Sequence, residues 1–312
     1  MKKGGLISIL MPAFNAERHL SEAVLSVLDQ TYTDWELLIL DDCSTDATST
    51  MIKGFKDNRI RVYRSPVNKG YLRSCNDLFN LTKGELITFL DADDTCPKER
   101  LSECHRVFNE SEKIGFHTTD HARTDEKGNI KSRHRTKIDY GRYASDPDYY
   151  PTICCATVMV RRELLKEVGG YSIFFDGIGG EDYHWLFKLA LQGKGRHLDK
   201  ELYHYRTHAG QLHENNTNPL KYFAADIDRE IRHELITNRN DLLQYPDELR
   251  TKWEAYISTH PDELAFRKAN WLLNRGRRKD SFLQAISMVS VSPFSVSTWS
   301  RFAYLCYSIL MR

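Results

Sequence analysis

Three carboxylates, Asp91, Asp93 and Asp94, stand directly behind the apolar run Leu86–Leu90. A buried strand that ends in like charges needs a reason. In an extended chain, residues two apart point to the same side, so Asp91 and Asp93 would face one point and Asp94 would turn away. A hard divalent cation such as Mg²⁺ or Mn²⁺ takes carboxylate oxygens, commonly one or two from protein and the rest from phosphates and water. A D-x-D pair at a strand end therefore fits a metal bridging protein to a nucleotide diphosphate. The alternative is that these aspartates cap a helix beginning near Pro97.

The elements that must carry this loop can be read from periodicity. "LISILM" is a buried strand, followed by Leu20, Ala23, Val24, Val27 and Leu28 on one helical face. "WELLIL" is a second strand, with a helix from Thr45 to Phe55; "IRVY" is a third, with a helix near 71–82; "LITFL" is a fourth, with a helix near 97–110. Such alternation with continuous apolar strands predicts an α/β fold, a mostly parallel sheet flanked by helices. Ligands on such sheets collect at the carboxyl ends of the strands. After the first strand comes Pro12-Ala13-Phe14-Asn15-Ala16-Glu17, after the second Asp41-Asp42-Cys43-Ser44-Thr45-Asp46, and after the fourth Asp91-Ala92-Asp93-Asp94. Three polar clusters thus share one sheet edge.

The remaining chain is less regular. Residues 117–150 read as long loops around a hairpin. "ATVMV" is another strand, "RRELLKEV" a helix closed by Gly169-Gly170, and a helix spans Glu181 to Leu191 before the extended "HLDKELYHYRTH". From 219 onward the chain reads as helical, with two helices joined at Gly276 and a tail placing Trp299, Phe302, Ala303, Cys306, Ile309 and Leu310 on one face. Arg275, Arg277, Arg278 and Lys279 cluster beside that turn. An amphipathic aromatic helix near a basic cluster suits an anionic membrane surface, or packing on the rest of the chain or a second subunit as a homo-oligomer.

Bulk composition narrows the class. The 312 residues carry 44 basic and 43 acidic side chains, a formal net charge of +1, which gives no general field for nucleic acid. Seven cysteines without C-x-x-C spacing argue for free thiols in a reducing compartment and against a zinc ribbon. No run reaches the ~20 apolar residues of a membrane span, so a cytoplasmic protein is expected, with peripheral contact to the inner membrane face left open. No G-x-G-x-x-G follows any strand, which disfavours a nicotinamide-binding domain.

The segments "ISILMPAFNAERHLSEAVLSVLDQTYTDWELLILDDCSTDAT", "NKG" at 68–70, "GELITFLDADD" at 84–94 and "GGEDYHWLFKL" at 179–189, in that order, resemble the family 2 glycosyltransferases, built on the GT-A nucleotide-sugar-binding fold. The resemblance covers roughly residues 5 to 210. It implies a catalytic domain over 1–215 and a helical extension over 216–312. It places Pro12, Ala13, Phe14, Asn15 and Glu17 beside the nucleoside. Asp41 and Asp42 would stand by the base, with Asp42 accepting the N3–H of uracil, as an ionised carboxylate can; helix capping, with Ser44 or Thr45 as N-cap, is the competing role. Asn68 and Gly70 would border the donor, and Ala92 would lie within the nucleotide loop.

Asp93 and Asp91 would hold Mn²⁺ or Mg²⁺, with Arg206 near the diphosphate through its planar fork and His208 as a ligand or hydrogen-bond partner. Asp182, or else Glu181, would be the general base. A helix N-terminus favours the carboxylate form by ~0.3–1 kcal/mol. Trp185 would face a sugar ring or lie in the core. The implied activity is inverting hexosyl or N-acetylhexosaminyl transfer from a nucleotide sugar, most simply a UDP-sugar, to a glycan or lipid-linked acceptor in surface polysaccharide or glycolipid synthesis. A sugar-phosphate nucleotidyltransferase is the enzymatic rival, but Pro12–Glu17 lacks the glycine-rich loop it needs. An inactive nucleotide-sugar-binding protein would have no use for Asp93 and the Glu181-Asp182 pair. Without spans or a Q-x-x-R-W signature, a processive synthase is disfavoured.

Overall fold

The computed structural model of the chain describes residues 5–208, 217–293 and 295–311. In chain order the first elements are β1 (Ile7–Ala13), α1 (Leu20–Leu28), β2 (Trp35–Asp41), α2 (Thr48–Gly54), β3 (Ile60–Arg64), α3 (Tyr71–Leu81), β4 (Leu86–Phe89) and α4 (Arg100–Glu110). Then follow β5 (Ile114–Thr124), β6 (Ile130–His134), α5 (Tyr140–Ser145), β7 (Met159–Arg161), α6 (Arg162–Val168), α7 (Glu181–Gln192) and β8 (Lys194–Arg206). The sheet order is β3-β2-β1-β4-β7-β5-β6, with β8 on β5.

β1 pairs in parallel with both β2 and β4, and β2 with β3. All seven residues of β1 and of β2 are buried, as expected of strands covered on both faces. Ala13 stands opposite Asp41 and Leu10 opposite Phe89, so the three loops leave one edge of the sheet together. β7 enters antiparallel between β4 and β5.

Two expectations are corrected. The region expected to be mainly loops contains β5, eleven residues long, whose sequence IGFHTTDHART hides a buried strand. His117, Thr118 and Thr119 are fully buried there: Thr118 Oγ1 bonds Tyr140 and His197, whereas the His117 ring packs on Phe108. α2 begins at Thr48 instead of Thr45, since Asp46 Oδ1 accepts the Thr48 N–H and Ser44 and Thr45 are drawn into the preceding loop.

The described chain divides into two compact units, Met1–Asp176 with Glu181–Glu214, and Gly177–Gly180 with Asn215–Arg312. The expected boundary between 215 and 216 lies outside the described residues. In the second unit, α8 (Ala224–His233), α9 (Pro246–Thr259), α10 (Pro261–Asn274), α11 (Arg278–Val291) and α12 (Val296–Met311) follow. Ala265, Ala269, Ala285, Met288 and Leu305 form the core of the last three, and the alanines let the helix axes approach. Gly276, at φ +73°, turns α10 into α11.

The expected apolar face of the tail is divided: Phe302 packs inward beside buried Thr298 and Leu305, whereas Trp299, Ala303 and Leu310 are exposed. Among the described residues, no helix is long and apolar enough to cross a membrane.

Candidate functional site

The loops after β1 and β2 are stitched to each other. Asn15, at φ +49°, donates its N–H to Ser44 Oγ at 3.0 Å, and its Oδ1 accepts the Thr45 N–H at 2.9 Å. Glu17 Oε2 accepts the Ala47 N–H at 2.9 Å, while Asp46 accepts the Glu17 N–H at 3.2 Å. These bonds consume orphan donors at the start of α2. Pro12 and Ala13 are buried at the end of β1, and Phe14 beside them is 45% exposed.

Asp41 and Asp42, both buried, are surrounded by donors. Asp41 Oδ1 accepts the Ser44 N–H at 2.9 Å, and its other oxygen pairs with Arg64 at 3.0 Å. Asp42 accepts the Lys69 N–H at 2.9 Å and the Gly70 N–H at 2.8 Å, so it holds the 68–70 loop against the sheet. Asn68 Oδ1 also accepts the Gly70 N–H. Gly70 sits at φ +87° just before α3, a backbone angle that side-chain-bearing residues rarely adopt.

The third loop differs. β4 stops at Phe89, and the Asp94 N–H donates to the Asp91 carbonyl at 3.1 Å, closing a turn. The stretch is not extended, which removes the alternating-side argument for Asp91 and Asp93. Helix capping is also set aside: α4 starts at Arg100 behind Glu99, with no side-chain cap. Each carboxylate has its own setting. Tyr71 Oη donates to Asp91 Oδ1 at 2.9 Å; Asp93 Oδ2 lies 2.9 Å from His208 Nε2; Asp94 accepts from Tyr203 Oη and the Arg206 N–H, each at 2.7 Å. Ala92 between them is buried. Burial, then repulsion from Asp93, pushes Asp91 up to about 7 and Asp94 well above the carboxylate range.

Arg206 is not a phosphate ligand. It is 1% exposed, and its guanidinium donates to the Asp93 carbonyl, the Glu126 carbonyl and Glu22 Oε2 at 2.7, 2.8 and 2.6 Å. It pins the acidic turn from behind. Beside it lies His19, which the sequence reading missed. Its ring stands 5.0 Å from that of His208, it is buried, and burial lowers its pKa.

Glu181 and Asp182 open α7. The helix N-terminus does not keep Glu181 ionised: burial, then repulsion from Asp182, raises it to about 8. The dipole contribution of ~0.3–1 kcal/mol is outweighed. Asp182 Oδ1 accepts the Tyr183 N–H at 2.8 Å. Asp182 contributes to raising Asp91, and Asp91 to raising Glu181, so the acidic turn and the head of α7 share one electrostatic neighbourhood. Trp185 lies in the core, donating Nε1–H to the Gly169 carbonyl at 2.9 Å and packing on Phe79, Phe89 and Tyr171.

Among the described residues, no three metal-ligating side chains are already grouped as a cage. The donor set is one carboxylate and one imidazole, Asp93 and His208, with Asp91 adjacent. Hard-to-borderline oxygen and nitrogen donors suit Mn²⁺ or Mg²⁺ completed by substrate oxygens and water. The like charges gathered here are what a cation would relieve. The residues fit.

Residues 8–169 match the family model described as glycosyl transferase family 2. Two relatives from Escherichia coli are UDP-Glc:alpha-D-GlcNAc-diphosphoundecaprenol beta-1,3-glucosyltransferases. WfaP is 32% identical over 69% of this chain and 82% of its own. WfgD is 43% identical over 58% of this chain and 68% of its own. The structure resembles that of Staphylococcus aureus TarS 1–349 in complex with UDP-GlcNAc, with a TM-score of 0.59, 18% identity and 92% of each chain covered.

Proposed function

The chain belongs to glycosyl transferase family 2, and on that premise we propose that it transfers a hexose or N-acetylhexosamine from a UDP-sugar to a lipid-linked glycan hydroxyl, with inversion. The observation that carries the reading is that Trp185, one turn into the helix that Glu181-Asp182 open, packs on Phe89 at the end of β4, two residues before Asp91, which brings the two acidic groups to the same edge of a parallel sheet. One group suits a diphosphate and its cation, the other an acceptor hydroxyl. The printed activities of WfaP and WfgD make UDP-glucose and a diphosphoundecaprenol-linked sugar the first pair to test.

Asp93 and His208, with Asp91 beside them, are the residues that would hold Mn²⁺ or Mg²⁺. When bound, such a cation supplies Lewis-acid neutralisation of charge on the departing diphosphate. Tyr71 and Tyr203 orient the acidic turn. Asp42 Oδ1 accepts a single backbone N–H and retains a lone pair for the N3–H of uracil. Phe14, exposed and next in the chain to Ala13, whose carbonyl accepts the Asp42 N–H at 2.8 Å, offers an aromatic face to the nucleoside.

Asp182 is the base. Of two adjacent carboxyls, Glu181 is the one that burial and then repulsion from Asp182 push up to about 8, so it holds its proton at neutral pH and leaves the base's part to its neighbour. Asp182 takes the acceptor O–H proton as that oxygen bonds to the anomeric carbon. The carbon–oxygen bond to UDP breaks on the opposite face, and its electron pair leaves with the diphosphate. Protonated Glu181 donates a hydrogen bond to acceptor or donor.

Thermal-shift titration with UDP and GDP, each with and without Mn²⁺, tests the nucleotide and cation together. Stabilisation by UDP that grows with Mn²⁺ and is absent for GDP is expected. Equal response to both nucleotides, or none to the metal, overturns the respective assignment.

A further inference from the structure

The helical unit shows apolar residues on two sides of the same helices. Ser281, Ala285 and Met288 of α11 turn inward. On its other side, Lys279, Phe282, Leu283 and Ile286 follow at i, i+3, i+4 and i+7, one stripe of a helix, and Leu283 is 54% exposed. α12 does the same: Val296, Trp299, Ala303, Tyr307 and Leu310 recur every three or four residues along its outer side, with Leu310 83% exposed. α12 contains no carboxylate and, within Val296–Met311, only Arg301, which pairs with Asp262 at 3.3 Å.

Charge lies at one end of this surface. Asp262, at the start of α10, meets Thr298 and Arg301 near the start of α12, and Phe266 meets Tyr304, so the two helices run the same way. The far end of α12, with Tyr307 and Leu310, therefore reaches the end of the bundle where α10 turns into α11. There Arg275, Arg277, Arg278 and Lys279 are all exposed. Arg277 pairs with Asp280 at 2.8 Å and Arg275 lies over Trp271. The cluster remains strongly positive.

We propose that the basic end shared by α11 and α12, with the apolar stripes that run from it, docks on an anionic lipid bilayer. Aliphatic side chains interleaved with Trp and Tyr, without a carboxylate on α12 and ended by a basic cluster in which Asp280 offsets one of four cations, are the composition of an interfacial helix surface. Each basic side chain close to an anionic surface raises partitioning by about fivefold. A second copy meeting the same end would set one net positive cluster against another, four cations and Asp280 on each side, which disfavours self-association there. The inference rests on the proposed lipid-linked acceptor for its purpose: a chain seated on the bilayer meets such an acceptor without extracting it.

The test is flotation of the full chain with vesicles of phosphatidylcholine alone or mixed with phosphatidylglycerol, alongside sedimentation equilibrium and a transfer assay with a water-soluble short-chain acceptor. Wild type is expected to float with the anionic vesicles. Leu283→Ser/Leu310→Ser and Arg278→Glu/Lys279→Glu are each expected to lose more than about twentyfold in vesicle-bound protein, while keeping UDP-dependent thermal stabilisation and short-chain transfer. No flotation of wild type, or flotation unchanged in both variants, overturns the proposal. So does an oligomer that the substitutions dissociate, because a second copy would then cover the face. If wild type floats as expected but transfers nothing, the catalytic reading fails and the docking surface stands.

Discussion

Asp41-Asp42 and Asp91-Asp93-Asp94 occupy equivalent places, each at the carboxyl end of a strand beside β1, yet they are built in opposite ways. The first pair is ringed by donors, three backbone N–H groups and Arg64. The second group is set against itself, and Asp91 and Asp94 carry raised pKa values because burial and neighbouring carboxylates oppose their ionisation. A satisfied carboxylate builds a loop. A frustrated one stores an affinity for positive charge. Glu181 belongs to the second kind.

This contrast can be broken by substitution, since frustrated groups should cost activity when removed and satisfied groups should cost stability. Asp182→Asn is expected to lower transfer by ~10²–10⁴-fold, the usual worth of a positioned base, while leaving UDP affinity by calorimetry unchanged. Unimpaired transfer would move the role to Glu181. Arg206→Met removes the buried fork behind the acidic turn and is expected to cost about 3–5 kcal/mol by urea titration. Retained stability with loss of nucleotide affinity would restore the phosphate role that its burial argues against.

Asp42→Ala removes the acceptor of the Lys69 N–H and one of the two acceptors of the Gly70 N–H, and is expected to cost about 1–3 kcal/mol. A smaller stability loss than that of Asp93→Ala would reverse the comparison. The remaining effect is on pH dependence. Glu181 binds its proton more tightly folded, at about 8, than at its ordinary 4.5, so the folded chain is favoured at low pH. That advantage is lost as pH rises through the window from 4.5 to about 8. Glu181→Gln should therefore flatten the melting curve against pH, and wild type and variant melting in parallel across that range would remove Glu181 from the account.

Much of the sheet was legible because β1, β2 and β4 are continuous apolar runs, and the loops behind them declare themselves by composition. β5 was not, because a strand rich in His and Thr is buried through polar partners that lie up to 79 positions away. Arg206 was misread for a similar reason: a guanidinium next to an acidic loop looks available until the carbonyls of Asp93 and Glu126 are seen to occupy it. Tyr71, Tyr203 and His19 carried no signal, since nothing local tells a site tyrosine or histidine from a core one. In the tail, apolar residues on more than one side of α12 left the period unable to choose which face turns inward.

The acidic turn at 91–94 is finished by a main-chain amide and a side chain from Arg206, 112 and 113 positions downstream. A nascent chain that has only just released β4 from the ribosome thus holds these carboxylates without their scaffold, and must synthesise through β8 before they acquire a defined arrangement. The arrangement of this turn is timed by the last strand of the sheet, not by the strand that bears the acids.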